Sequence, residues 1–283
     1  MRILAFVIFC LMPLSVLRAT EGRPPAAKPW SALYVFGDSY SDSGAGYVDG
    51  NGATAVVYMA QTLGIPFTHV GAPDTAGKGL NFAVSGGTTG GGDGARVKDA
   101  LLGRGLQTQV LDFVASVKSG AIQFNREYTL FFIAGGLNDR RLATTESVAN
   151  LESLIEALHG TGARYFLLAI LPEKIPGFDL VAKRLNPAIA GIPETMNRRL
   201  PGVTVRLSRW GEYFDEVMLK PADYGITNTK DACAGRAIFD QDTTPAGPPD
   251  RYYYYHAGHP STAVQRIVGA GLVREARTFE KKR

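Results

Sequence analysis

Ser39 and His259 are a pair whose types suit nucleophilic chemistry, and they stand far apart in a chain of 283 residues. A serine hydroxyl is a weak nucleophile at neutral pH and needs an adjacent base, a task that neutral imidazole matches in pKa. Attack on a carbonyl builds negative charge on its oxygen, which then needs fixed donors such as a backbone amide or a carboxamide. The Ser39 amide, Gly86 in a Gly-rich run and Asn138 are groups of that kind. Acyl transfer is the chemistry this set would perform. Each residue taken singly has a plainer reading: Ser39 as a turn residue or cap, Gly86 as a position of positive φ, Asn138 with Asp139 as an Asx turn. Asp38 and Asp42 read as structural caps.

Bringing such residues together requires loops that converge, and in an open parallel sheet the crevice lies outside the carboxyl ends of the strands. The apolar run Ala32 to Phe36 predicts a strand, followed at once by the Gly- and Ser-rich segment 37–46. Residues 53–63 read as a helix, a short strand ends near Ala83, and the Gly-rich run 85–94 reads as a loop. A helix is expected from Leu106 to Lys118, a buried strand over 128–133, and a helix over 147–158 with apolar residues at three- and four-residue spacing. Strand 164–171, helical residues 187–200 and strand 203–207 continue the alternation. Residues 223–250 look irregular, and Pro260 opens a closing helix that runs to Phe279, which leaves His259 in a loop. Alternation with near-continuous apolar strands argues for an α/β fold, a three-layer α/β/α sandwich with a mainly parallel central sheet. Ser39, Gly86 and Asn138 then follow successive strands, and His259 precedes the last helix.

Four blocks in order resemble the GDSL/SGNH hydrolases. Gly37-Asp38-Ser39-Tyr40-Ser41-Asp42-Ser43-Gly44 is similar to the family's first block, with Tyr40 in place of the usual Leu. Asn81-Phe82-Ala83-Val84-Ser85-Gly86-Gly87 resembles the second, Gly136-Leu137-Asn138-Asp139 the third, and His259-Pro260-Ser261 the fifth. The resemblance spans roughly residues 33–270. It implies a flavodoxin-like SGNH fold, Ser39 as nucleophile, His259 as base, an oxyanion hole from Ser39, Gly86 and Asn138, and a small-molecule or lipid ester as substrate. Short-chain carboxylic esters, lipids and acetylated sugars all fall within the family's range.

The pattern breaks three residues before the histidine, where the family commonly carries Asp and this chain has His256. An imidazole cannot supply the carboxylate that holds a catalytic histidine in its tautomer and stabilises the imidazolium. A backbone carbonyl accepting the Nδ1 hydrogen is the first alternative, giving a Ser-His dyad. Asp250, Asp242 or Asp240 folding back is the second, and an anion beside His256 the third. A zinc site from His256, His259 and Asp250 ranks below serine chemistry, because the spacing is weak and His259 would forfeit its base role. No metal or cofactor is expected. His69 and His159 read as structural, and one or two of Tyr252 to Tyr255 are expected to face the pocket.

Composition bounds the rest. With 45% hydrophobic and 20% charged residues the chain can bury a large core. Residues 1–19 place Arg2 before an apolar run that ends at Ala19, which reads as a secretory signal too short to span a membrane, so a secreted or periplasmic protein is expected. One domain over 30–279 should follow. Cys233 is then the sole cysteine, which rules out an internal disulfide. The net charge of +4 owes part of its value to Lys281, Lys282 and Arg283 and forms no polybasic stripe. Nucleic acid is not an expected partner, and a peripheral membrane contact has only this weak charge behind it. Three functional readings follow: an exported serine esterase or acylhydrolase, a catalytically impaired glycan- or lipid-binding module, and an acyltransferase.

Overall fold

The computed structural model describes residues 30–280; the expected signal at 1–19 lies outside them. Strand β1 (Ala32–Gly37) is buried from Leu33 onward, as its unbroken apolar run requires. The chain continues through α1 (Ala55–Leu63), β2 (Phe67–His69), β3 (Gly79–Asn81), β4 (Asp93–Val97), β5 (Ala100–Arg104), α2 (Leu106–Lys118), β6 (Thr129–Ala134), α3 (Thr144–His159) and β7 (Tyr165–Ala169). There follow α4 (Asp179–Ile189), α5 (Ile192–Arg199), β8 (Thr204–Ser208), α6 (Trp210–Leu219), β9 (Asn228–Ala232), β10 (Tyr252–His256), β11 (His259–Pro260) and α7 (Thr262–Glu280).

Six strands form one sheet in the order β2-β3-β1-β6-β7-β8, with every pairing parallel. Helix α7 packs on α1 and α6, whereas α3 packs on α2, α4 and α5. Two helical layers thus enclose the sheet, giving the three-layer α/β/α sandwich. From β1 the chain crosses to the edge strand β2, returns to β3 between them, and then restarts at β6 on the other side of β1. Connections leaving the carboxyl ends of β1, β3 and β6 therefore open around one crevice. Burial of Phe36, Phe82, Phe113, Phe131 and Phe132 fixes the strands that carry those loops.

Several boundaries differ from expectation for identifiable reasons. Helical residues 187–200 are two helices with Gly191 between them, and Pro187 sits inside α4 rather than at a first turn. Asp93 and Gly94, expected in a loop, begin β4, which pairs antiparallel with β5 in a largely exposed two-stranded ribbon. The irregular stretch contains β9, which pairs with β10. Pro260 belongs to β11, and α7 starts two residues later. His259 therefore sits in a hairpin in which His256 is its cross-strand partner, turned by Gly258 at φ +75°.

Candidate active site

The turn that carries Ser39 is built by Asp38. Its carbonyl accepts the Ser41 and Asp42 N–H groups at 3.0 and 2.9 Å, and its carboxylate Oδ1 accepts the Tyr40 N–H at 3.1 Å. Gly37, at the end of β1, is clamped from α2 by both groups of the Gln109 carboxamide. Asp38 is buried and its Oδ2 has no partner among the described residues. Burial pushes its pKa up to about 7, with the Tyr40 N–H opposing and Asp139 and Asp42 adding to the rise. Tyr40, where the family usually has Leu, is wholly buried among Phe178, Trp210 and Phe214. Its hydroxyl donates to Gly258 O at 2.7 Å, fastening the nucleophile turn to the histidine hairpin.

That fastening joins segments 218 residues apart, and His259 Nε2 lies 2.8 Å from Ser39 Oγ. On the far edge of the ring, Nδ1 is 3.1 Å from Ala257 O and 2.7 Å from Nη2 of Arg236. Arginine only donates, so Nδ1 accepts from Arg236 when the ring hydrogen is on Nε2 and donates to Ala257 O when it is on Nδ1. The second tautomer is the one that leaves Nε2 free to take a proton from Ser39. Ala257 O also accepts from Arg236 Nη2 at 2.5 Å, which keeps the guanidinium satisfied in that state.

A carboxylate is present after all, and it is Asp49. Its Oδ1 meets Nδ1 of His256 at 2.8 Å and Nε of Arg236 at 2.8 Å, while Oδ2 lies 3.3 Å from His259 Nε2. Since the carboxylate only accepts, His256 carries its hydrogen on Nδ1. Burial pushes the Asp49 carboxyl up, but the His256 hydrogen bond with the charges of His259 and Arg236 outweighs it and holds the pKa below the usual range. His259 is itself held below the ordinary histidine value, first by burial, with Arg236 and His256 adding and Asp49 opposing. A depressed pKa keeps the ring neutral, the state a base must be in.

Donors face the same point. Gly86 takes φ +81°, and a side chain there would press a Cβ to 3.3 Å from the Gly103 amide, so glycine is needed for both conformation and space. Asn138 uses one amide hydrogen on Gly87 O at 3.0 Å, leaving the other. Among the described residues nothing accepts the Ser39 or Gly86 N–H. Asp42 is scaffold: Oδ1 accepts Gly44 and Gly46 N–H, and Oδ2 accepts Ser85 N–H, tying the first loop to the second. Asp139 likewise binds Thr89 through its N–H and hydroxyl.

The other carboxylates weighed for His259 are elsewhere. Asp250 is exposed in a 3-10 turn before β10 and lies outside the lining of the Ser39 cleft. Asp242 caps Thr244, and Asp240 pairs with Lys98. Asp250 is therefore neither an orienter of His259 nor a partner of His256, and the three-residue metal set does not assemble. Tyr253 and Tyr254 are buried, and the tyrosine on the cleft wall is Tyr47, stacked on His256, rather than any of Tyr252 to Tyr255. Sequence reasoning missed Asp49, Arg236 and Tyr47. Asp49-Gly50 reads locally as a turn, and Arg236 lay in the stretch without periodicity. The cleft over Ser39 encloses about 280 Å³, and Leu102, Arg140, Phe178 and Phe239 complete its wall.

The model for the GDSL-like lipase/acylhydrolase family matches residues 33–272. GDSL esterase/lipase 7 of Arabidopsis thaliana is 22% identical, with 93% of each chain covered. A second GDSL esterase/lipase of that plant is 24% identical over 90% of this chain and 83% of its own. Among solved structures, LAE5, an alpha/beta hydrolase enzyme from the metagenome of Lake Arreo, Spain, superposes with a TM-score of 0.50 at 13% identity, covering 89% of this chain and 98% of its own. At that identity the likeness concerns the fold alone.

Proposed function

The chain belongs to the GDSL-like lipase/acylhydrolase family, and from that premise we propose that it is an exported serine esterase cleaving carboxylic esters through an acyl-enzyme on Ser39. The observation that carries this reading is the 2.8 Å contact between Ser39 Oγ and His259 Nε2 at the floor of a cleft holding unengaged amides. Ser39 Oγ attacks the ester carbonyl as His259 Nε2 takes its proton, and the oxyanion is held by the Ser39 and Gly86 N–H groups and the Asn138 carboxamide. Collapse expels the alcohol, which receives the proton from His259; water then enters, loses a proton to His259 and releases the acid. Asp49 faces the imidazolium formed in both halves and supplies the negative charge that His256 cannot. Residues 30–279 carry this chemistry as one domain, and the leader at 1–19 accounts for export.

Hydrolysis of p-nitrophenyl acetate and butyrate by the mature chain tests the reading beside folded Ser39→Ala and His259→Ala variants. Loss of turnover in both is the expected result. Equal residual rates in parent and variants would remove Ser-His catalysis. One observation favours a second reading, a binding module without turnover: the Arg236 guanidinium 2.7 Å from Nδ1 supports the tautomer in which Nε2 cannot act as base. It expects ester binding without product release and no covalent adduct on Ser39 after phosphonate treatment.

A further inference from the structure

One wall of the cleft holds a cation, Arg140, that no carboxylate neutralises among the described residues. The Arg140 guanidinium lies 5.4 Å from the centroid of the Phe178 ring, and that ring stands edge-on to His259 at 6.4 Å. Arg140 is thus separated from the imidazole by a single aromatic ring. It is exposed and, among the described residues, forms no ion pair. The same side chain lines an adjoining pocket of about 360 Å³ with Gly177, Leu180, Val181 and Arg184.

Arg184 differs from a loose surface cation. It is half-buried and donates to Asp139 O at 2.7 Å, Leu142 O at 3.0 Å and Thr144 Oγ1 at 3.1 Å. All three acceptors are uncharged, so they fix the guanidinium in place and leave its charge intact. No carboxylate lines this pocket. The neighbouring acidic group, Asp179 at the start of α4, is already engaged with Lys183 at 3.2 Å. The other arginine lining the cleft, Arg236, is paired with Asp49. Two guanidiniums, one of them preorganised, therefore share a pocket that adjoins the Ser39 cleft through Arg140, which lines both. Arginine forks suit carboxylate and phosphate oxygens.

We propose that this pocket binds an anionic group of the substrate, so that the preferred ester carries a carboxylate or phosphate a few bonds from its scissile carbonyl. The inference rests on the Ser39 reading above and adds its substrate class. Binding is a reversible ion pairing and leaves the chemistry at Ser39 unchanged.

Two matched ester pairs at low ionic strength test it. Mono-p-nitrophenyl glutarate against p-nitrophenyl valerate places the charge on the acid side, and 3-acetoxybenzoate against phenyl acetate places it on the alcohol side. In one pair the charged ester should exceed its neutral partner in kcat/KM by tenfold or more. Arg140→Gln should remove that advantage, Arg140→Lys should keep part of it, and added salt should erode it in the parent. Neutral esters faster in both pairs, or a ratio that Arg140→Gln does not change, would overturn the inference and leave the esterase reading standing. If the parent hydrolyses none of the four, the esterase reading is the one that fails; calorimetry with glutarate and phenyl phosphate then decides the pocket. Binding by the parent that Arg140→Gln abolishes supports the site and tells carboxylate from phosphate, whereas no binding of either removes it.

Discussion

Replacing Asp49 by Asn keeps the side chain's size and removes one charge from beside the reacting ring. The carboxylate Oδ2 lies 3.3 Å from His259 Nε2 and the side chain is 10% exposed, so bulk water screens the pair only partly. With an effective dielectric of ~20, a carboxylate and an imidazolium at that separation attract by roughly 5 kcal/mol. Arg236, bonded to the same carboxylate, offsets part of this, and a net effect of about 3 kcal/mol corresponds to ~100-fold in rate. Neutral imidazole in the ground state feels little of it, so kcat should fall ~100-fold while KM changes little. Asp49 also raises the His259 pKa against burial, whereas Arg236 lowers it. The acid limb of kcat/KM should therefore move to lower pH in Asp49→Asn and to higher pH in Arg236→Gln. The double variant should recover part of the loss, because the two charges act on the imidazolium with opposite sign. The assay is p-nitrophenyl butyrate turnover from pH 4.5 to 9 on variants whose thermal melts remain cooperative. A kcat within threefold of the parent together with an unmoved acid limb would refute the electrostatic role given to Asp49.

Three further outcomes follow from the same geometry. Asn138→Ala, which deletes the proposed carboxamide donor to the oxyanion, should lower kcat by ~10²–10³ with KM nearly constant; a loss confined to KM would assign Asn138 to ground-state binding. Tyr40→Phe breaks the 2.7 Å bond to Gly258 O and should cost about 1 kcal/mol in a urea melt together with a few-fold loss of kcat, since the hairpin that carries His259 is anchored there; unchanged turnover would mean the hairpin is held by packing alone. Asp38 has a folded pKa raised from 3.8 to about 7, so the stability its protonated form contributes is fully present below pH 3.8 and is lost as pH rises through 7. Asn imitates the protonated form, so Asp38→Asn should stabilise the protein above pH 7, by at most ~4 kcal/mol, and make little difference near pH 4; a stability difference independent of pH would contradict this.

Residues 32–36 needed no partner to be read as a buried strand, because an unbroken apolar run of that length has few other stable fates beside a Gly-rich loop. The 106–118 helix was equally plain from its spacing. Ser39, Gly86 and Asn138 were legible because a parallel sheet places the ends of its strands together, so chemistry-bearing residues just after strands become neighbours. Local reading failed where a position's role depends on what lies across the chain. Pro187 looked like a helix start and is a helix interior, since packing of α4 on α3 outweighs one missing hydrogen bond.

Nothing near Asp49 in the chain marks it as the partner of His256, 207 residues away. The loss of the usual Asp at 256 was visible in the sequence, and the carboxylates sought in its place were those closest along the chain. Asp250, Asp242 and Asp240 are close in number, but Asp250 is exposed in a 3-10 turn, Asp242 accepts the Thr244 N–H and Asp240 pairs with Lys98. A charge acts through space, with a reach set by distance and burial rather than by sequence separation. Ser39, Gly86, Asn138 and His259 could therefore be singled out as candidates from the sequence, whereas the electrostatic field around His259, set by Asp49 and Arg236, was decided only when the fold brought distant loops to one crevice.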